Sequence, residues 1–275
     1  MKNKTIAKFI SKLLQSRYKV SIKGRELLVS DKSSLYLPNH QAEVDPIILL
    51  AEIAKLDDAV PMVSDNYYNL PLIKSFMERI GAVPVADFDA GHRDPKVLDK
   101  MRAAMLNALQ HGKSILLYPS GQLSMQGYEK IQNKQSAYKL TLELDENIRV
   151  IGVRQHGLWG SVWSRAWWGK SPSFFNVLVR SVFYVLANFI FFVPKRSIEI
   201  EFEDITEEAK RMAHSSTRQE FNRYLEAFYN SRGEEEARFL KHYFYAPKLK
   251  RKLPKRVKGV INHGKTLKFR PLAEE

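Results

Sequence analysis

The 275-residue sequence contains no cysteine. That absence removes disulfide staples, thiolate nucleophiles and every zinc or iron–sulfur site built on cysteine, and it permits a reducing compartment without requiring one. Acidic residues are also scarce: 30 Asp and Glu face 44 Lys and Arg, a formal net charge of +14. Such a chain seeks a polyanionic partner, so nucleic acid, anionic lipid and an acidic carrier protein are the classes to separate. Internal repeats and low-complexity linkers are missing, and with 44% hydrophobic residues the chain can bury a core. Fibrous and wholly disordered readings are therefore excluded.

The charge is concentrated at one end. Residues 241–275 carry eleven Lys and Arg against Glu274 and Glu275, which is nine of the fourteen net charges. The rest of the chain is near balance, so the excess belongs mainly to a basic tail over 246–275. Such a tail suits an anionic lipid surface, a solvated extension or nucleic acid. Apolar surface elsewhere favours lipid. Residues 1–18 place Ile6, Phe9, Ile10, Leu13 and Leu14 at helical spacing, with Lys2, Lys4, Lys8, Lys12 and Arg17 between them. This predicts an amphipathic helix lying in a membrane interface, without the cleavage site of a secretory signal; a core-packing terminal helix is the alternative.

A second apolar segment, Phe174 to Val193, reads FFNVLVRSVFYVLANFIFFV and is closed by Pro194, Lys195 and Arg196. Its length, about 20 residues, is that of a bilayer span. A single crossing conflicts with the stretch 198–203, in which Ile198, Ile200 and Phe202 alternate with Glu199, Glu201 and Glu203 as a half-buried strand. If that strand joins the sheet formed upstream, both must lie on one side of the bilayer. Asn176, Arg180 and Asn188 would also be costly at its centre. The segment is expected to dip into the membrane as a monotopic or re-entrant helix, with a buried core helix as the alternative.

Elsewhere strand and helix signals alternate. β-rich runs occur at 20–23, 34–37, 60–63, 82–85, 114–118 and 148–153, and helices are expected over 46–55, 71–79 and 95–110, each opened by proline at its first turn. The pattern is an α/β sandwich around one mixed sheet, a single domain over 19–245 between the 1–18 helix and the 246–275 tail.

The chemistry begins where the strand 34–37 ends, in Pro38-Asn39-His40-Gln41-Ala42-Glu43-Val44-Asp45-Pro46. A His and an Asp five residues apart across a strand-to-helix turn can meet if the turn folds back. The carboxylate then accepts from one imidazole nitrogen and leaves the other a competent base. Without a Ser or Cys partner, such a dyad suits deprotonation of a bound hydroxyl that attacks an activated acyl group. The same spacing also suits a capping or turn pair. About 80 residues on, Leu116-Leu117-Tyr118-Pro119-Ser120-Gly121-Gln122-Leu123-Ser124 delivers a second turn from a buried strand.

Taken in order, NHxxxxDP, Gly-Ala-Val-Pro-Val at 81–85, YPSG at 118–121 and Ile151-Gly152-Val153-Arg154 resemble the four blocks of the glycerolipid acyltransferase family, which includes lysophosphatidic acid acyltransferases. The resemblance spans roughly residues 20–230. It implies a glycerol-phosphate-acyltransferase-like sandwich, His40 as general base and Asp45 as its orienting partner. Gly121 would let backbone approach the reacting groups and help fix the oxyanion geometry. Asn39, Ser120, Gly121, Gln122 and Arg154 are the substrate-binding candidates; no metal and no bound cofactor are expected.

Departures from the family pattern bear on the acceptor. The family's Glu in the third block is Ser120, its following Arg is Leu123, and the Arg expected after the second block falls on Asp87. A terminal phosphate dianion wants bidentate cationic partners, whereas a phosphodiester headgroup needs fewer. The wording YPSGQ, with Gly157-Leu158-Trp159-Gly160-Ser161 and Trp163-Ser164-Arg165-Ala166, looks more like the acyltransferase portion of bacterial acyl-carrier-protein synthetase/acyltransferase fusions, which reacylate lysophospholipids. The resemblance implies a lysophospholipid acceptor, an acyl-CoA or acyl carrier protein thioester as co-substrate, and membrane lipid rather than nucleic acid as partner. The expected location is the cytoplasmic face of the inner membrane, peripheral or monotopic. A catalytically silent lipid-binding or nucleic-acid-associated protein on the same scaffold is the alternative.

Other residues carry weaker signals. Trp159, Trp163, Trp167 and Trp168 suit an interfacial aromatic belt or aromatic core packing. Arg93, Lys96, Arg154 and Arg165 suit headgroup or donor-phosphate contacts, or solvated surface. The remaining histidines lack metal-ligand spacing, and Pro-Ser-Gly-Gln lacks the GxSxG pattern of a serine hydrolase elbow.

Overall fold

The computed structural model describes residues 2–64, 82–85 and 95–246, together with 68, 74, 75, 78 and 250. Most of the helix expected over 71–79, of which 74, 75 and 78 are described and helical, lies outside the described residues, as do Gly81, Asp87, Arg93 and nearly all of the 246–275 tail.

Among the described residues seven strands form one mixed sheet: β1 (Tyr18–Lys23), β2 (Ser34–Pro38), β3 (Ala59–Ser64), β4 (Val83–Val85), β5 (Ser114–Leu116), β6 (Arg149–His156) and β7 (Arg196–Asp204), in the order β1-β7-β6-β2-β5-β3-β4. Every neighbouring pair is parallel except β6 with β7. Five contiguous strands thus point their carboxyl ends the same way, with β2 between β5 and β6. In open α/β sheets that edge is where ligands bind.

Helices cover both faces: α1 (Lys2–Leu14), α2 (Asp45–Ile53), α3 (Pro95–Gln110), α4 (Ser136–Leu142), α5 (Arg165–Trp168), α6 (Phe174–Ala187), α7 (Thr206–Ser215) and α8 (Arg218–Tyr229). The alternation of β2 shows how. Leu35 and Leu37 pack with Met105 and Leu109 of α3, Ala209 of α7 and Phe221 and Leu225 of α8. Tyr36 faces the other way, into Ile48 and Leu49 of α2, Trp163 and Val177 of α6. Buried on both faces, the strand reads as continuous apolar sequence, the mark of a parallel sheet interior. α8 starts on a capping box between Thr217 and Glu220, which satisfies two otherwise orphaned amides.

The expected alternation of β7 holds: Ile198, Ile200 and Phe202 are buried in the second core, while Glu199 and Glu201 pair outward with Lys23, Arg154 and Arg232. β7 lies in the same sheet as β6, so the segment between them leaves the sheet and returns to it.

That segment is not a 20-residue helix. α6 ends at Ala187, where Asn188 is buried and Phe189 and Ile190 take φ of 51° and 64°. Left-handed backbone at two non-glycine residues breaks the helical run. Asn188 holds the break by donating to the carbonyls of Tyr184 and His242 and accepting from the Phe244 amide. Fourteen residues rise about 21 Å, short of a hydrocarbon core of about 30 Å. Among the described residues no helix is long and apolar enough to cross a membrane. Nor is α6 a core helix: Val177 is buried, but Phe175, Val179, Val182, Phe183 and Leu186 are exposed, as are Phe189 to Phe192 beyond it.

The tryptophans correct one expectation. Trp159, Trp163 and Trp167 are buried, and Trp168 donates to the Val162 carbonyl; they are packing residues rather than an interfacial belt. After α8 the chain runs back across the sheet's carboxyl edge as a strap over 233–246. The Glu235 amide donates to the Gly127 carbonyl and the Arg238 amide to that of Trp159. Gly160 has φ 88°, and a Cβ there would fall 2.5 Å from the Arg238 backbone nitrogen, so the strap's approach requires glycine. The buried Arg196 guanidinium donates to the carbonyls of Gly157, Gly160 and Arg238, fastening strap to loop.

Candidate active site

β2 and β6 end side by side, and Asn39 extends their pairing. Its side chain donates to the Gln155 carbonyl and accepts from the Gln155 amide, while the Gln155 side chain donates back to the Asn39 carbonyl. Asn39 is buried in this exchange; it fixes where the next residue, His40, leaves the sheet.

Asp45 then closes the turn. One carboxylate oxygen accepts from the Ala42 amide at 2.8 Å, and the other accepts from the Gln41 amide at 2.6 Å and lies 3.2 Å from His40 Nδ1. Both readings of the spacing are realised at once: the carboxylate caps the turn and faces the imidazole. Asp45 is wholly buried and acceptor-only when ionised, so Nδ1 is assigned as the protonated nitrogen and Nε2 as the basic one. Among the described residues Nε2 has no hydrogen-bond partner, and the side chain keeps 14% of its surface exposed. Burial alone would lower the His40 pKa. The hydrogen bond and charge of Asp45, with the charges of Glu43 and Glu129, outweigh it and raise the pKa above the ordinary value.

The second turn lies against the first. The Tyr118 ring packs on the imidazole, centroids 4.3 Å apart. Gly121 sits at φ 57° with its amide donating to the Tyr118 carbonyl, and among the described residues a Cβ there would meet no atom within 4 Å. Its requirement for glycine is therefore the left-handed backbone, not close protein packing. Ser120 donates to the Gln122 carbonyl. The Ser124 amide donates to the His40 carbonyl at 2.6 Å.

Arg154 is not brought to this place. On β6 its guanidinium pairs with Glu201 and Glu203 and lies 4.2 Å from the Phe228 ring centroid, within an ion-pair cluster. Leu123 is buried, which leaves that position apolar. Among the described residues no three His, Asp or Glu side chains converge as a metal-ligand set.

Two acidic residues at the site carry no signal in the sequence. Glu129, 3% exposed, accepts from the His40 amide at 3.1 Å. Asn230, at the end of α8, grips its backbone from both sides. Glu235 of the strap accepts from the Gln41 side chain at 2.6 Å and from the Gly157 amide at 2.8 Å, and lies 3.3 Å from His156 Nδ1. Both stand in loops without periodicity, where a lone Glu reads as solvated surface.

Residues 19–154, from β1 to the middle of β6, match the family model described as Acyltransferase. Over that stretch, just under half of its length, the chain matches the acyltransferase family. The matched stretch contains His40, Asp45 and the 118–124 turn; the strap and β7 lie beyond it. Among solved structures this chain resembles the crystal structure of the 1-acyl-sn-glycerophosphate acyltransferase PlsC from Thermotoga maritima, with a TM-score of 0.50 and 16% identity over 82% of this chain and 78% of that one. At that identity the likeness is one of fold. No curated protein matches the sequence significantly.

Proposed function

We propose that this chain is an acyltransferase that works at a membrane surface, transferring an acyl group from an acyl-CoA or acyl carrier protein thioester to the free hydroxyl of a lysophospholipid. The observation that carries the reading is the His40–Asp45 pair at the carboxyl end of β2, with Nδ1 occupied and Nε2 open. Nε2 takes the acceptor's hydroxyl proton as the oxygen attacks the thioester carbonyl. The tetrahedral intermediate then collapses, the carbon–sulfur bond breaks, and the leaving thiolate recovers the proton from the imidazolium. Charge and atoms balance with no covalent enzyme intermediate.

A lysophospholipid with a phosphodiester headgroup suits the site better than lysophosphatidic acid. Leu123 is buried and apolar where the family resemblance places an arginine, and Arg154 is already engaged by two glutamates.

Membrane attachment is supported by the exposed apolar side of α6 and the turn beyond it, where Phe191 is 86% exposed, continued by Phe244 and Tyr245 of the strap. α1, whose Phe9 and Leu13 are exposed, shares a sheet face with α6: Leu14 and Val177 enter the same core. An exposed apolar patch suits the headgroup boundary of a bilayer, and the cytoplasmic face of the inner membrane is such a surface.

Thiol release from acyl-CoA or acyl carrier protein in the presence of lysophosphatidylethanolamine tests the activity. His40→Ala is expected to lower turnover at least about 100-fold while the protein stays folded at the assay temperature and still binds vesicles. Retained turnover would remove the mechanism.

A further inference from the structure

Glu129 is almost wholly buried, yet its side chain ends beside the residue proposed as base. One oxygen accepts from the His40 amide at 3.1 Å and lies 2.5 Å from Ser124 Oγ. The same Ser124 hydroxyl is 2.9 Å from the His40 carbonyl oxygen, which also accepts the Ser124 amide. Amide and carbonyl of His40 are thus both held by this pair. The other oxygen of Glu129 is buried and, among the described residues, has no hydrogen-bond partner. A buried carboxylate with one idle oxygen is expensive to keep for packing alone. Asn230 holds the Glu129 backbone in place nevertheless.

We infer that Glu129 is a positioning residue for acyl transfer: together with Ser124 it clamps the His40 backbone, and its charge steadies the imidazolium formed when the base takes the acceptor's proton. The inference rests on His40 being that base. The Ser124 hydroxyl has one hydrogen and two acceptors. With Glu129 ionised, it donates to the carboxylate. With Glu129 protonated, the acid can donate to Ser124 Oγ, and the hydroxyl then serves the His40 carbonyl.

The groups facing the pair come from several elements: Asp45 at the start of α2, Glu43 in the turn before it with Arg165 of α5 nearby, Tyr118 and Ser120 from the second turn, and Tyr229 of α8. Burial pushes the Glu129 carboxyl up to about 7, against the opposing pull of Ser120, Ser124 and the His40 amide. Its protonation therefore changes across the range in which the base works.

Glu129→Gln keeps the shape and an acceptor for the His40 amide while removing the charge. On the full chain with acyl-CoA and lysophosphatidylethanolamine, kcat is expected to fall about tenfold, the effect of one charged contact, with acceptor KM unchanged. The acid limb of kcat/KM is expected to move to lower pH, because the charge that raises the His40 pKa is gone and so is the second ionisation. Ser124→Ala should lower kcat and leave that limb closer to wild type. A Glu129→Gln enzyme with unchanged kcat and limb would overturn the inference. So would a loss of kcat with no movement of the limb, since that is what a purely structural role produces. If His40→Ala keeps its turnover, the base assignment fails first, and the two failures are distinguishable.

Discussion

The carboxylate oxygen of Asp45 that faces His40 Nδ1 at 3.2 Å is the same atom that accepts the Gln41 amide at 2.6 Å. Folding of the turn and orientation of the base are therefore one event. Asp45→Asn is expected to separate from His40→Ala in a specific way. An amide offers one acceptor where the carboxylate offers two, so the variant should lose about 1.5–3 kcal/mol of stability as well as most of its activity. Chemical denaturation beside initial rates checks this. Full activity would make Asp45 a turn residue only.

The pH dependence is set by the direction of two shifts. His40 must be neutral to act, and its pKa is raised, so turnover should climb with pH through a midpoint above the ordinary histidine value. In the fold the protonated imidazole is favoured, a stabilisation complete below the unfolded pKa and lost as pH rises through the folded one. Glu129 has the same sign: its carboxyl, at about 7 when folded and 4.5 ordinarily, costs stability increasingly as pH rises between those values. Unfolding free energy measured from pH 5 to 8 should decline less in Glu129→Gln than in the wild type.

Acceptor choice is expected to favour a phosphodiester headgroup. In competition assays at fixed acyl donor, lysophosphatidylethanolamine should be consumed ahead of lysophosphatidic acid. A clear preference for lysophosphatidic acid would show that cations other than Arg154 have taken over the phosphate site.

Membrane attachment should split into two parts. Removing residues 246–275 should weaken binding to anionic vesicles and abolish its salt dependence, since each Lys or Arg near such a surface contributes about 1 kcal/mol that salt screens. Transfer to detergent-dispersed substrate should persist. Polar substitutions at Phe183, Leu186 and Phe191, all exposed, should weaken binding at every salt concentration and to neutral vesicles, with circular dichroism unchanged. Unfolding of these variants would show the surface to be part of the core.

Much of the architecture is legible in local pattern. Continuous apolar runs at 34–37 and 114–116, the alternation at 198–203 and proline at the head of 95–110 identify their elements, because burial on two faces, burial on one face and a fixed φ each leave a short-range trace. The pairing of His40 with Asp45 is legible for the same reason: five residues and one turn bring them together. Glu129, Glu235 and Asn230 leave no such trace. Their partners are 89, 194 and 101 residues away, and a loop glutamate becomes a buried acceptor only when distant backbone closes over it. Arg154 shows the reverse, since a cation in a recognised block is claimed by Glu201 and Glu203 across the β6–β7 pair. Composition also reads 174–193 as one apolar segment, yet Asn188, bonded to His242 and Phe244, ends the helix early and turns four hydrophobic residues outward. Local sequence decided where strands, helices and the His-Asp turn form; which charges are buried, and which apolar residues are not, was decided by the chain that packs over them.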